Sequence, residues 1–198
     1  MRKIKDEVVA LKKSPLYGYR RESGNLPVIG EGNHSAKIMF IGEAPGRNEA
    51  KYGRPFCGAA GKILDQLLES IGIDRKEVYV TNIVKDRPPQ NRDPNPEEIK
   101  IYGPFLDRQI KIIQPKIIVT LGRYAMNYIM PKFGLEFEVE PISVNHGKVF
   151  TVPSQALVEW GWKDHEIKVI PLYHPAVAVY NSHTLDQLKK DFEVLKNI

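Results

Sequence analysis

The chain has 198 residues, 42% hydrophobic and 27% charged, a size and balance that suit one domain with a substantial buried core. No run approaches the roughly 18 consecutive apolar residues of a membrane span, and the start, Met1-Arg2-Lys3-Ile4-Lys5-Asp6-Glu7, lacks the apolar core of a secretory leader, so an intracellular compartment is expected. Cys57 is the single cysteine, which excludes an intrachain disulfide and a thiolate cluster, while the net charge of +5 is compatible with a polyanionic partner without requiring one.

The first helix is predicted over Ile4 to Lys13, ended by Ser14-Pro15. Residues 17–36 read as an irregular approach to a first strand, Ile38-Met39-Phe40-Ile41, which runs into the turn Gly42-Glu43-Ala44-Pro45-Gly46. A loop follows, then a helix from Ala59 to Ile71, whose Ile63, Leu64, Leu67, Leu68 and Ile71 form one apolar face. The second strand, Val78–Val84, leads into the proline-rich loop Arg87–Pro94. Asn95, Pro96 and Glu98 then supply a cap, a first-turn proline and a capping-box glutamate for the next helix. Ile99, Tyr102, Leu106, Ile110 and Ile113 form its buried stripe, and Gly103-Pro104 should kink it. The third strand is Lys116–Leu121, and Gly122 opens a helix toward Met130. Residues 134–166 suggest a hairpin around His146-Gly147 and an exposed excursion carrying Trp160 and Trp162. The fourth strand is Ile167–Leu172. The last helix starts at Thr184, with Gln187 in capping-box position, and buries Leu185, Leu188, Phe192 and Leu195. Strands alternating with helices imply a single domain over residues 1–198. Its expected class is a three-layer α/β/α sandwich around a central four-stranded parallel sheet.

In an open parallel sheet, ligands bind outside the carboxyl ends of the strands. The strand ends here carry Glu43, Asn82, Gly122 and, in Tyr173-His174-Pro175, an imidazole, so a carboxylate, a carboxamide and an imidazole should converge on one crevice. Lys85, Arg87 and Arg92 follow Asn82 closely and would meet a phosphate backbone passing that crevice. The Gly42–Gly46 turn alone leaves two readings open, a phosphate-binding loop and a tight strand-to-helix corner. It lacks the Gly-Lys-Ser/Thr ending of a Walker loop and the Gly-x-Gly-x-x-Gly dinucleotide fingerprint.

Taken together, GEGN (Gly30–Asn33), GEAPG (Gly42–Gly46), GRPF (Gly53–Phe56), TNIVK (Thr81–Lys85), RPPQNRDP (Arg87–Pro94) and YHPA (Tyr173–Ala176) occur in an order and near a spacing that resemble the uracil-DNA glycosylase superfamily. The likeness is greatest to its family four and covers roughly residues 14–133 and 141–192. It implies a monofunctional enzyme that excises uracil from single- or double-stranded DNA as a monomer, leaving an abasic site. By the same resemblance, Asn82 reads the base, His174 donates to uracil O2 and Phe56 stacks on the flipped ring. The turn residues Gly42, Ala44, Pro45 and Gly46 face the uracil edge. Glu43, or Glu49 through a water, stabilises the cation or orients the nucleophile. Val177, Val179 and Tyr180, in the segment after His174-Pro175, are the implied wedge into the duplex, with packing of the last helix as the alternative. No lysine is marked as a Schiff-base nucleophile.

The chain also departs from the family it resembles. Family four holds a four-iron cluster on four cysteines, and the corresponding positions here are Leu11, Ser14, Asp86 and Tyr102. No cluster, and no metal, is therefore expected. Leu11 and Tyr102 are expected to pack there, with Ser14 and Asp86 hydrogen-bonding. Ala50 stands where an acid usually follows Glu49, and residues 152–166 form a longer insert. Rival readings are the same fold acting on hypoxanthine or xanthine, a binding module for damaged or single-stranded DNA, and a nucleotide-binding enzyme. Asn82 favours uracil over the first of these. Glu43, Asn82 and His174 together speak against a pure binder, and the lack of a phosphate lysine in the turn speaks against the last.

Overall fold

Four parallel strands set the frame of the molecule, and each is largely buried on both faces, as a sheet covered by helices on both sides requires. The computed structural model describes residues 1–162, 166–181 and 183–197. In chain order the elements are α1 (Arg2–Val9), α2 (Leu16–Glu22), β1 (Glu31–Gly32), β2 (Ile38–Gly42), α3 (Arg47–Tyr52), α4 (Ala59–Ser70), β3 (Tyr79–Asn82) and α5 (Pro96–Ile113). They continue with β4 (Ile117–Leu121), α6 (Arg123–Lys132), α7 (Ile142–Asn145), β5 (Phe150–Thr151), α8 (Ser154–Trp160), β6 (Lys168–Leu172), α9 (Ala176–Tyr180) and α10 (His183–Phe192).

The sheet order is β1-β3-β2-β4-β6-β5. β3, β2, β4 and β6 are mutually parallel, and β1 and β5 close the edges as antiparallel pairs of two residues each. The expected sheet of four parallel strands is thus its centre, and the sheet as a whole has six strands. Two-residue strands carry too little alternation to be visible in a sequence. From β2 the chain steps outward to β3, then crosses to β4 and β6 on the other side. The switch point therefore lies at the carboxyl ends of β2 and β4, where an open α/β sheet forms its crevice.

Two apolar layers sandwich the sheet. Met39, Ile41, Tyr79, Ile118 and Val169 face α5 and α6 through Leu106, Ile110, Met126 and Ile129. Phe40, Val80, Val119 and Ile170 face α4 and α10 through Leu64, Leu67, Leu188 and Phe192. A third cluster of Ile4, Val8, Leu11, Leu16, Val84 and Tyr102 seats the N-terminal helices over the segment that follows β3.

Helix α5 begins as its sequence dictates. Glu98 N–H donates to Asn95 Oδ1 at 2.8 Å and Asn95 N–H donates to Glu98 Oε2 at 2.9 Å, closing the capping box. Pro104 lies inside this helix, which continues past it to Ile113. Other expectations give way. α1 ends at Val9 instead of Lys13, and α2 and α3 occupy segments expected to be loop. Residues 134–151 form no hairpin at His146-Gly147. α7 lies there, Gly147 N–H donates to Pro171 O at 2.9 Å, and β5 pairs with β6. Trp162 is buried and Trp160 stacks on Phe133 at 4.5 Å, so these tryptophans belong to the core beside α6 and not to an exposed excursion.

Candidate active site

A cleft of about 340 Å³ opens at the switch point, lined by Glu43, Ala44, Pro45, Gly46, Glu49, Phe56, Asn82 and His174, with Ala60, Pro88, Asn91, Arg92 and Ala176 completing its wall. β2 delivers the glycine turn, β3 ends on Asn82, and β6 runs into Tyr173-His174. Gly42 sits beneath these groups. A Cβ there would lie 2.4 Å from Asn82 Oδ1 and 2.7 Å from Phe56 Cζ, so both side chains occupy the space that glycine leaves free. Gly61 plays the same part for α4, since its Cβ would fall 1.8 Å from the Phe56 carbonyl oxygen. Phe56 itself adopts φ 49°, a left-handed conformation uncommon for a bulky residue and one that the packed surroundings must impose.

Asn82 is buried, and its Oδ1 has no hydrogen-bond partner among the described residues. A buried carboxamide oxygen left unsatisfied beside a cleft is an acceptor ready for a ligand donor. His174 stacks on Phe56 with ring centroids 5.5 Å apart. Its Nδ1 accepts from the Ala176 backbone N–H at 3.1 Å. Burial pushes its pKa down to about 4, so the ring is neutral near pH 7. With Nδ1 an acceptor, the proton of the neutral ring is on Nε2, which makes His174 a fixed donor.

The two carboxylates differ in how they are held. Glu49 Oε1 accepts from Gly58 N–H at 2.7 Å and Cys57 N–H at 3.1 Å, tying α3 to the start of α4 and to the loop that carries Phe56. No hydrogen bond engages the Glu43 carboxylate among the described residues. Burial, aided by the nearby Asp93 carboxylate and opposed by Arg123, pushes its pKa up to about 7.

A family model described as "Uracil DNA glycosylase superfamily" matches residues 29–196. The chain belongs to this superfamily. It is similar to the type-4 uracil-DNA glycosylase of Sulfurisphaera tokodaii, at 47% identity over 199 residues that span 100% of this chain and 84% of that protein. It is similar to the type-4 enzyme of Saccharolobus solfataricus at 44% identity, over 98% of this chain and 83% of the relative. The type-4 enzyme of Archaeoglobus fulgidus is also 44% identical, over 94% of this chain and 87% of that protein.

Within this glycosylase fold, three basic residues were expected to meet DNA, and two of them are placed elsewhere. Lys85 is fully buried and cannot reach a phosphate backbone. Arg87 is 9% exposed, its Nε donating to Asn91 Oδ1 at 2.6 Å, so its guanidinium braces a loop from within. Arg92 does stand on the cleft wall, partly exposed, with its guanidinium forked onto Glu98 at 2.9 and 2.6 Å. The segment after His174-Pro175 is α9, on which Val177 and Val179 are 38% and 39% exposed while Ala178 is buried. The Tyr180 side chain lies outside the described part of the structure. Sequence reasoning also passed over Asn91, which lines the cleft at φ 56°, beside Gln90 at the same φ. Two consecutive non-glycine residues in the left-handed region mark a constrained loop. The Pro88-Pro89 pair before them was the one available hint.

Proposed function

We propose that this chain is a monofunctional uracil-DNA glycosylase, which hydrolyses the N-glycosidic bond of deoxyuridine in DNA and leaves an abasic site for repair. The observation that carries the reading is the pairing, in one cleft, of Asn82 Oδ1 without a partner among the described residues and His174 set as an Nε2–H donor. Uracil presents an N3–H donor next to the O4 acceptor. An Asn82 carboxamide accepts from the first and donates to the second, whereas cytosine offers the reverse pattern. As the C1′–N1 bond breaks, negative charge collects on the base, and a neutral His174 Nε2–H stabilises it at O2. The flipped base stacks on Phe56, over the Gly42–Gly46 turn.

Glu43 faces the sugar as the carboxylate that steadies the positive charge or orients the attacking water. Glu49, acting through a water, is the alternative carboxylate for that role, while its Oε1 keeps the Phe56 loop in place. Lys85 is fully buried and no lysine lines the cleft among the described residues, which supports hydrolysis without a covalent amine intermediate. Val177 and Val179 are the candidates to fill the gap left in the duplex, with Tyr180 as the third residue of that wedge. Arg92 is the basic residue retained for the DNA backbone. The enzyme works as an intracellular monomer on single- or double-stranded DNA. No helix among the described residues is long and apolar enough to cross a membrane.

The iron-sulfur cluster implied by the family-four resemblance does not fit the residues at its positions. Leu11, Ser14, Asp86 and Tyr102 offer no thiolate, and the single cysteine, Cys57, lies by the cleft. Polar partners take up that space. Ser14 Oγ and Tyr102 Oη lie 2.8 Å apart, Tyr102 Oη–H donates to Asp86 Oδ2 at 2.5 Å, and Arg20 Nη1 donates to both Asp86 oxygens at 3.0 and 2.9 Å. Arg20 also donates to the carbonyls of Val8 and Val9, fastening the end of α1. Iron and sulfide in stoichiometric amounts with the purified protein would refute a cluster-free enzyme.

The deciding experiment for the function is excision from a labelled oligonucleotide carrying one deoxyuridine. Wild type should give alkali-dependent strand cleavage that His174→Ala and Asn82→Ala strongly reduce. DNA binding without cleavage would move the search to other deaminated bases or to a binding role.

A further inference from the structure

On the face of the sheet opposite the one to which the Asn82 side chain points, a buried lysine grips the strand that carries Asn82. Side chains alternate across β3, so Val80 and Asn82 point toward the α4 side and Phe56, whereas Tyr79 and Thr81 point toward α5. Lys85 reaches that second face. Its Nζ donates to Asn82 O at 2.6 Å, to Thr81 Oγ1 at 2.8 Å and to Gln109 Oε1 at 2.5 Å, with Ile29 O farther off at 3.4 Å. Three close acceptors match the three N–H bonds of an ammonium.

The acceptors are themselves fixed. Thr81 Oγ1–H donates to Ile29 O at 2.6 Å, and Gln109 Nε2 donates to Ile29 O at 2.9 Å and Tyr79 Oη at 3.1 Å. Pairing of β3 with β2 ends at Gly42 and Asn82, beyond which Ile83 N–H and Val84 N–H donate to Gly42 O and Glu43 O, each at 3.0 Å. On the other side of β3, pairing with β1 stops at Val80, and the Asn82 carbonyl finds its close partner in Lys85. Burial works against the charge, pushing the Lys85 pKa well below the ordinary lysine range. A side chain needed only to fill this volume would have no use for three donors.

We infer that Lys85 is a positioning residue: by clamping the main-chain carbonyl of Asn82 from behind the sheet, it fixes the direction in which the Asn82 carboxamide enters the cleft. The inference rests on Asn82 reading the base. It places uracil selectivity partly in a residue that touches neither base nor DNA.

A double-mutant cycle tests it, using single-turnover excision from a deoxyuridine oligonucleotide with Lys85→Met, Asn82→Ala and the combined variant, and a thermal melt of each. The expected result is a loss of about tenfold or more for Lys85→Met in the wild-type background and less than about threefold in the Asn82→Ala background. Equal losses in both backgrounds, or no loss from Lys85→Met, would overturn the inference while leaving Asn82 as the base reader. Undiminished excision by Asn82→Ala would instead remove the reading of Asn82 and the inference with it. Should Lys85→Met fail to fold, Gln109→Ala takes its place in the cycle, removing one acceptor and keeping the ammonium. A fall in melting temperature with an unchanged excision rate would then overturn the clamp.

Discussion

The backbone N–H of Ala176 donates to Nδ1 of His174 at 3.1 Å, and that one bond decides which ring nitrogen carries the proton. It arises because Pro175 turns the chain immediately into α9, bringing the Ala176 amide back over the ring. A neutral donor costs no desolvation of a charge and strengthens its bond as the leaving base turns anionic.

His174→Ala should therefore lower the excision rate by about 10²–10³, the usual size of losing one donor to a developing oxyanion. Single-turnover kinetics on a deoxyuridine oligonucleotide check this. Stability carries a second signature. The folded His174 pKa, about 4, lies below the ordinary value of 6.5, so between these limits the unfolded chain binds a proton that the folded chain refuses. The His174 contribution is fully present above about pH 6.5 and is lost as pH falls toward 4, up to about 3 kcal/mol. His174→Gln should flatten the melting temperature over that range.

Glu43 has the opposite sign. Its pKa of about 7 in the folded state exceeds the ordinary 4.5, so the folded chain holds the extra proton and stability is lost as pH rises through this window. Glu43→Gln should stabilise the protein at pH 8 by about 1–2 kcal/mol, discounted for partial exposure, while lowering excision. If the ionised form is active, kcat/KM of wild type rises through about pH 7, and that limb should vanish in Glu43→Gln.

Gly42→Ala would put a methyl group 2.4 Å from Asn82 Oδ1 and 2.7 Å from Phe56 Cζ. Displacement of both side chains should raise KM and lower kcat/KM by about 10²-fold, the scale of a misplaced binding group. Circular dichroism should show the fold retained.

The buried Arg20–Asp86 pair predicts an asymmetry. Asp86→Ala strands a buried guanidinium and should cost about 3–5 kcal/mol, whereas Arg20→Met combined with Asp86→Leu removes both charges and should recover much of that loss. Urea unfolding of the three proteins reads it directly. A double variant as unstable as Asp86→Ala would argue against the pair as the fastening of α1.

The elements that decide the cleft were legible because each is marked locally. The parallel strands are short runs rich in apolar residues, α5 opens with a proline and a capping box, and the turn after β2 is marked by two glycines and a proline. Edge strands of two residues, the short α2 and α3, and the burial of Trp162 left no periodic trace. The burial of Arg87 and Lys85 was hidden for one reason. A basic residue beyond a strand end reads the same whether its chain runs into solvent or folds behind the sheet.

Sequence by itself determined the layered α/β architecture, the placing of Glu43, Asn82 and His174 at strand ends and the absence of cluster thiolates, since these depend on composition, periodicity and short-range order. Only the tertiary structure decided the proton position on His174, the unsatisfied oxygen of Asn82, the rise of the Glu43 pKa and the burial of Lys85. Each of these depends on atoms brought together from distant parts of the chain. The Lys85 ammonium, for example, meets Gln109, 24 residues away on another element, and burial of that kind leaves no mark on the residues that undergo it.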